Sequence, residues 1–96
     1  MSNFKIVFWE RIIMYKNRSE KGLNNISGKN ITKYRKQMEK PNSQRALAER
    51  LQLLGIDLDK NAVQRIESGR RFVTDIELKT FAKLFGVTAD VLLEEE

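Results

Sequence analysis

Residues 44–73, QRALAERLQLLGIDLDKNAVQRIESGRRFV, decide the fold of this chain. They read as two short amphipathic helices with a connection between them. Leu47, Ala48, Leu51 and Leu54 recur at helical spacing and predict the buried stripe of the first helix, from about Gln44 to Leu54. Ser43 is its expected N-cap and Gly55 its stop. Asp59 is placed to cap the second helix, Lys60 to Glu67. Gly69 sits where a left-handed C-terminal cap belongs, directly before Arg70 and Arg71.

The second helix divides cleanly around its axis. With Lys60 at zero, Gln64 lies at roughly 40°, Ser68 at roughly 80°, Asn61 at roughly 100° and Arg65 at roughly 140°. Ala62, Ile66 and Val63 fall at roughly 200°, 240° and 300°. One arc is therefore apolar and faces a core. The other presents Lys60, Asn61, Gln64 and Arg65, the residue types that hydrogen-bond base edges in a major groove. The plainer alternative is an ordinary solvated helix face. Glu67 falls near 340°, at the seam between the arcs. A carboxylate there needs a partner or costs several kcal/mol. Arg35 is the expected partner, and water is the alternative.

Outward from this unit the pattern stays helical. Ile31, Tyr34 and Met38 share one face of an earlier helix that Pro41 stops. Thr74 and Glu77 form a capping box that opens a helix running to Phe85, and Gly86 closes it. Thr88 caps a last short helix carrying Val91, Leu92 and Leu93. The expectation is an all-α fold of five helices from residue 31 onward, with no strand.

Residues 16–30, KNRSEKGLNNISGKN, are polar and read as a loop or mobile arm. Before them Phe4, Phe8 and Ile12 at spacing four suit a short amphipathic helix, although IVFW alone also suits a strand. Met14 precedes a basic, polar stretch and is an alternative start, which would make residues 1–13 an extension. The expected organisation is an N-terminal arm or extension at 1–30, one helical domain at 31–93, and an acidic tail at 94–96.

Composition narrows the chemistry. A chain of 96 residues holds one core. Lys and Arg outnumber Asp and Glu 18 to 13, for a net charge of +5, which permits a nucleic-acid partner without requiring one. The imbalance is local. Residues 1–42 hold ten basic and three acidic residues, whereas residues 43–96 hold eight and ten, ending in Glu94-Glu95-Glu96. That acidic tip is expected to face away from phosphate. The chain has no Cys and no His, which excludes disulfides, thiolate or imidazole metal sites, and Ser-His or Cys-His catalysis. No carboxylate cluster or phosphate loop replaces them, so neither an enzyme nor a cofactor is expected. No apolar run reaches membrane-span length, and a cytoplasmic location is expected.

The chain resembles the phage-repressor helix-turn-helix family, also called XRE or Cro-like. The residues that carry the likeness are Ser43-Gln44 with Leu47-Ala48, then Val63, Ile66-Glu67, Gly69 and Arg71. It continues through Leu78, Phe81-Ala82, Phe85-Gly86-Val87 and Val91-Leu92-Leu93, and so covers about residues 31–93. The resemblance implies a five-helix lambda-repressor-like domain whose second and third helices read DNA. It implies base contacts by Lys60, Asn61, Gln64 and Arg65, phosphate contacts by Gln44, Arg70 and Arg71, and a buried structural pair of Arg35 and Glu67. Two departures stand out. Gln52 occupies a position where the family usually has Gly, and the connection from Ala48 to Val63 is several residues longer than the usual turn. This link sets which of Lys60 and Asn61 can reach a base.

The function expected on these grounds is sequence-specific DNA binding by a repressor-like transcriptional regulator. Double-stranded DNA is the expected partner, and a homodimer the expected form on it. The alternative is an antitoxin or other protein-interaction module that uses the same fold to hold a protein partner.

Overall fold

The computed structural model describes residues 18–95, and within them the chain is all-helical. The amphipathic helix expected at 1–15 and the alternative start at Met14 lie outside the described residues. Five helices follow in order: α1 Gly28–Gln37, α2 Gln44–Leu53, α3 Lys60–Glu67, α4 Asp75–Phe85 and α5 Ala89–Leu92.

Four of the five starts are set by a local side-chain cap. Ser43 accepts from the Ala46 amide at 3.0 Å and Asp59 from the Ala62 amide at 2.8 Å. Thr74 and Glu77 form the reciprocal capping box of α4, and Thr88 accepts from the Val91 amide. α1 differs. It begins at Gly28, three residues ahead of the apolar pattern, and Ser27 makes no side-chain cap. The Asn25 side-chain oxygen, Oδ1, accepts the Gly28 amide at 2.8 Å instead. Gly28 is required at this point because a Cβ would collide with the Ile66 carbonyl oxygen of α3.

The core gathers Ile31 of α1, Leu47 and Leu51 of α2, Val63 and Ile66 of α3, Phe81 of α4 and Leu92 of α5, all with no exposed surface. Burying each such side chain contributes about 1.5–3 kcal/mol. Tyr34 and Phe81 flank Phe85, with ring centroids 5.9 and 6.1 Å away, and close one side of the core. α3 packs chiefly on α2 and is crossed by α1, while α5 seals α4 against α1. Asn30 completes that seal by donating to the carbonyls of Leu92 at 3.0 Å and Glu94 at 2.8 Å.

The α2–α3 connection corrects one expectation. α2 ends at Leu53 rather than Leu54, and Leu54 is 43% exposed instead of buried. The helix closes early: Ile56 N–H donates to Leu51 O and Gly55 N–H to Gln52 O, both at 3.0 Å. This Schellman pairing needs positive φ at Gly55, which adopts +88°. Ile56 then packs on the core in the place expected of Leu54, and Leu58 is buried beyond it. Gln52 spans the link, its amide donating to Leu58 O at 3.3 Å. The added length is thus a pinned segment that delivers Asp59 to the start of α3.

Candidate nucleic-acid interface

The polar arc of α3 is fully exposed: Lys60, Asn61, Gln64 and Arg65 all stand in solvent, while Ala62, Val63 and Ile66 are buried. Asn61, Gln64, Arg65, Ser68 and Arg70 line one shallow depression of about 400 Å³. Lys60 sits exposed at the first position of the helix, outside that depression. Among the described residues, no hydrogen bond or ion pair occupies the side chains of Lys60, Asn61, Gln64, Arg65 or Arg70.

The expected phosphate contacts differ in their surroundings. Gln44, at the first position of α2, donates one amide proton to Glu67 Oε1 at 3.0 Å, leaving its second free. Arg70 is exposed at the exit of α3. Arg71 is engaged. Its Nη1 and Nη2 donate to the two carboxylate oxygens of Glu77 at 2.9 and 3.2 Å, and Nη1 also donates to Phe72 O. Burial alone would raise the Glu77 carboxyl, but the Arg71 guanidinium and the Thr74 amide and hydroxyl outweigh it and hold the group below its ordinary value of 4.5. The two arginines expected at phosphates thus sit in different surroundings. Arg70 is available, and Arg71 is a bracket between the exit loop and α4.

Arg35 and Glu67 meet beneath the arc. Arg35 Nε donates to Glu67 Oε2 at 2.6 Å and Nη2 to Oε1 at 3.1 Å, with the two side chains only 12% and 6% exposed. Arg35 Nη1 also donates to Asn42 O at 2.7 Å. Glu67 thus collects three donors from α1 and α2, a satisfied arrangement for a charge so far from water. Among the described residues every buried side-chain nitrogen or oxygen has a hydrogen-bond partner.

α3 ends in the same Schellman pairing as α2. Arg70 N–H donates to Arg65 O at 2.9 Å and Gly69 N–H to Ile66 O at 3.0 Å, with Gly69 at φ +81°. The residues that hold this exit went unread in the sequence. Asn24 donates from its backbone to Gly69 O at 2.8 Å and from its side chain to Arg70 O at 2.7 Å. Asn25 donates to Ile66 O at 3.0 Å and Arg71 O at 2.7 Å. Leu23 covers Gly69. The only hint in the sequence was the asparagine three residues ahead of Gly28, which is N-cap spacing.

Among the described residues no group of acidic side chains is arranged to hold a metal, and no helix is long and apolar enough to cross a membrane. What the surface offers is a row of amide and guanidinium donors, carried on a short helix whose opposite face is core. Comparison of the chain with models of protein families, with curated proteins and with solved structures finds no match.

Proposed function

We propose that this protein is a sequence-specific DNA-binding regulator of the helix-turn-helix type, with α2 and α3 as the reading unit. The single observation that carries this reading is the shared exposed face of Asn61, Gln64, Arg65, Ser68 and Arg70, set directly behind a core-bound face of the same helix. Asn and Gln pair bidentately with adenine, and Arg and Lys with guanine, so this row matches base edges in a major groove. Lys60, Asn61, Gln64 and Arg65 are assigned to bases. Arg70 and the second amide proton of Gln44 are assigned to phosphates, which fix register without reading sequence. Arg71 is assigned to holding the exit loop through Glu77. The bound form is a homodimer on two half-sites about 34–36 Å apart.

Selection of bound duplexes from a random pool tests this. A recovered motif with two half-sites about one helical turn apart supports the reading, and a pool with no enriched sequence overturns it. A second reading, a module that holds another protein, is favoured by the exposure of Leu53 at 87%, Ile76 at 66% and Phe72 at 48%. A complex that forms without DNA and withstands high salt would carry it.

A further inference from the structure

We propose that residues 19–27 form a clasp that fixes the exit of α3, and that Asn25 is the positioning residue through which Arg70 is presented to a DNA phosphate. The inference rests on the DNA-binding reading and adds residues from outside the two-helix unit to it.

The exit is the one place where the reading helix hands over to the backbone-contacting cation. A carbonyl oxygen turned toward a phosphate would repel it and weaken the attraction of the guanidinium. The clasp takes three successive carbonyls out of play. Gly69 O and Arg70 O accept from the backbone and side chain of Asn24, and Arg71 O accepts from Asn25. With those oxygens turned to the clasp, the Arg70 side chain joins Asn61, Gln64 and Arg65 on the opposite, exposed face. Asn25 is the centre of the device, because its carboxamide is used completely. Both protons of Nδ2 go to α3 and its exit, at Ile66 O and Arg71 O, while Oδ1 accepts the first amide of α1 at Gly28. One side chain therefore joins the start of α1, the end of α3 and the loop beyond. The fit is close on both sides: Gly28 has no room for a Cβ against Ile66 O, and Leu23 lies on Gly69. Ser19 steadies the clasp by accepting from the Leu23 amide at 3.0 Å and the Gly22 amide at 2.9 Å.

The chemistry of Asn25 separates its two duties. Asn25→Asp keeps the oxygen that caps Gly28 but sets a carboxylate against two carbonyl oxygens. Asn25→Ser keeps a neutral capping oxygen and is too short to tie both carbonyls. Both variants, Arg70→Ala and the Asn25→Ser/Arg70→Ala double variant are made in the full chain. Amide exchange and binding to the selected duplex across a salt series are then measured. In both Asn25 variants the amides of Gly69, Arg70 and Arg71 are expected to exchange about tenfold faster, the effect of losing two ordinary hydrogen bonds. Those of Leu51 and Phe81 in the core hold their wild-type rates. In Asn25→Ser the salt slope of binding falls by about one per protomer, as in Arg70→Ala, and the double variant falls no further. The preference for the selected duplex over a scrambled one is retained.

Unchanged exchange at residues 69–71 overturns the clasp. Exchange that quickens equally in the core reduces it to ordinary stabilisation and overturns it too. A full salt slope in Asn25→Ser overturns the positioning role while leaving the DNA reading intact. A wild-type chain that selects no duplex overturns both.

Discussion

Glu67 shows how much one side chain can be asked to do. It accepts two hydrogen bonds from Arg35 and one from Gln44, at 6% exposure, so its charge is held by neighbours rather than by water. Removing one partner of such a pair strands the other, which costs about 3–5 kcal/mol. Glu67→Ala is accordingly expected to lower stability by about that amount in chemical denaturation, and an unchanged midpoint would refute the structural role of the pair. Glu77 supplies a different signature. Its folded pKa lies below the ordinary 4.5, so it contributes stability above that value and loses it as pH falls through the folded pKa. Glu77→Gln should therefore be less stable than the wild type near neutral pH. The gap should close as denaturation is repeated at successively lower pH below 4.5. A gap that persists at low pH would show that the Arg71 bracket contributes nothing through charge.

At the scale of the element, α3 sorts its residues by direction. The arc that turns inward at Ala62, Val63 and Ile66 fixes the helix, and the arc that turns outward is left to solvent. Arg65→Ala or Gln64→Ala should cost about 1–3 kcal/mol in binding and relax preference at one base position. Arg70→Ala should weaken binding to all sequences alike and lower the salt slope by about one per protomer. Uniform losses from both kinds of variant would mean that α3 does not read bases. The helices were legible in the sequence wherever the signal is local. Ser43, Asp59, Thr74 with Glu77, and Thr88 each cap within three residues of themselves. The start of α1 was not legible, because its cap, Asn25, is bonded as well to carbonyls 41 and 46 residues away. Leu54 was misplaced because the apolar period runs on past the Schellman closure, which hands its inward position to Ile56. The polar arc of α3 followed from helical period alone. The engagement of Arg71 did not, since its partner Glu77 lies across a loop whose shape no period describes.

Across the whole molecule, charge and packing are divided between the two ends of the chain. Basic residues crowd the first 42 positions, ten against three, while the second part carries both α3 and an acidic end. A protein that docks by several phosphate contacts releases as many counterions. With Arg70 of both protomers at phosphates, affinity for the selected duplex should then fall at least about tenfold between 50 and 200 mM salt. A flat dependence would favour an apolar protein partner and the module reading. The segment once read as a loose arm belongs to this same balance. Residues 19–27 clasp the end of α3, and their asparagines supply the donors that helix termini lack.

Asn30 has a consequence in time rather than in space. Its bonds to the carbonyls of Leu92 and Glu94 join residues 62 and 64 positions apart, whereas the Asn24 and Asn25 bonds close over 41 to 46. On a ribosome, residues 19–71 bring out α1, α2, α3 and the asparagines that hold the end of α3, whereas Glu77, the partner of Arg71, follows later. The lid on their hydrophobic side, Phe81 and Leu92, arrives afterwards, and Asn30 latches it last. A nascent chain halted just beyond Val73 would leave open to water the apolar faces that Phe81 and Leu92 cover in the whole fold.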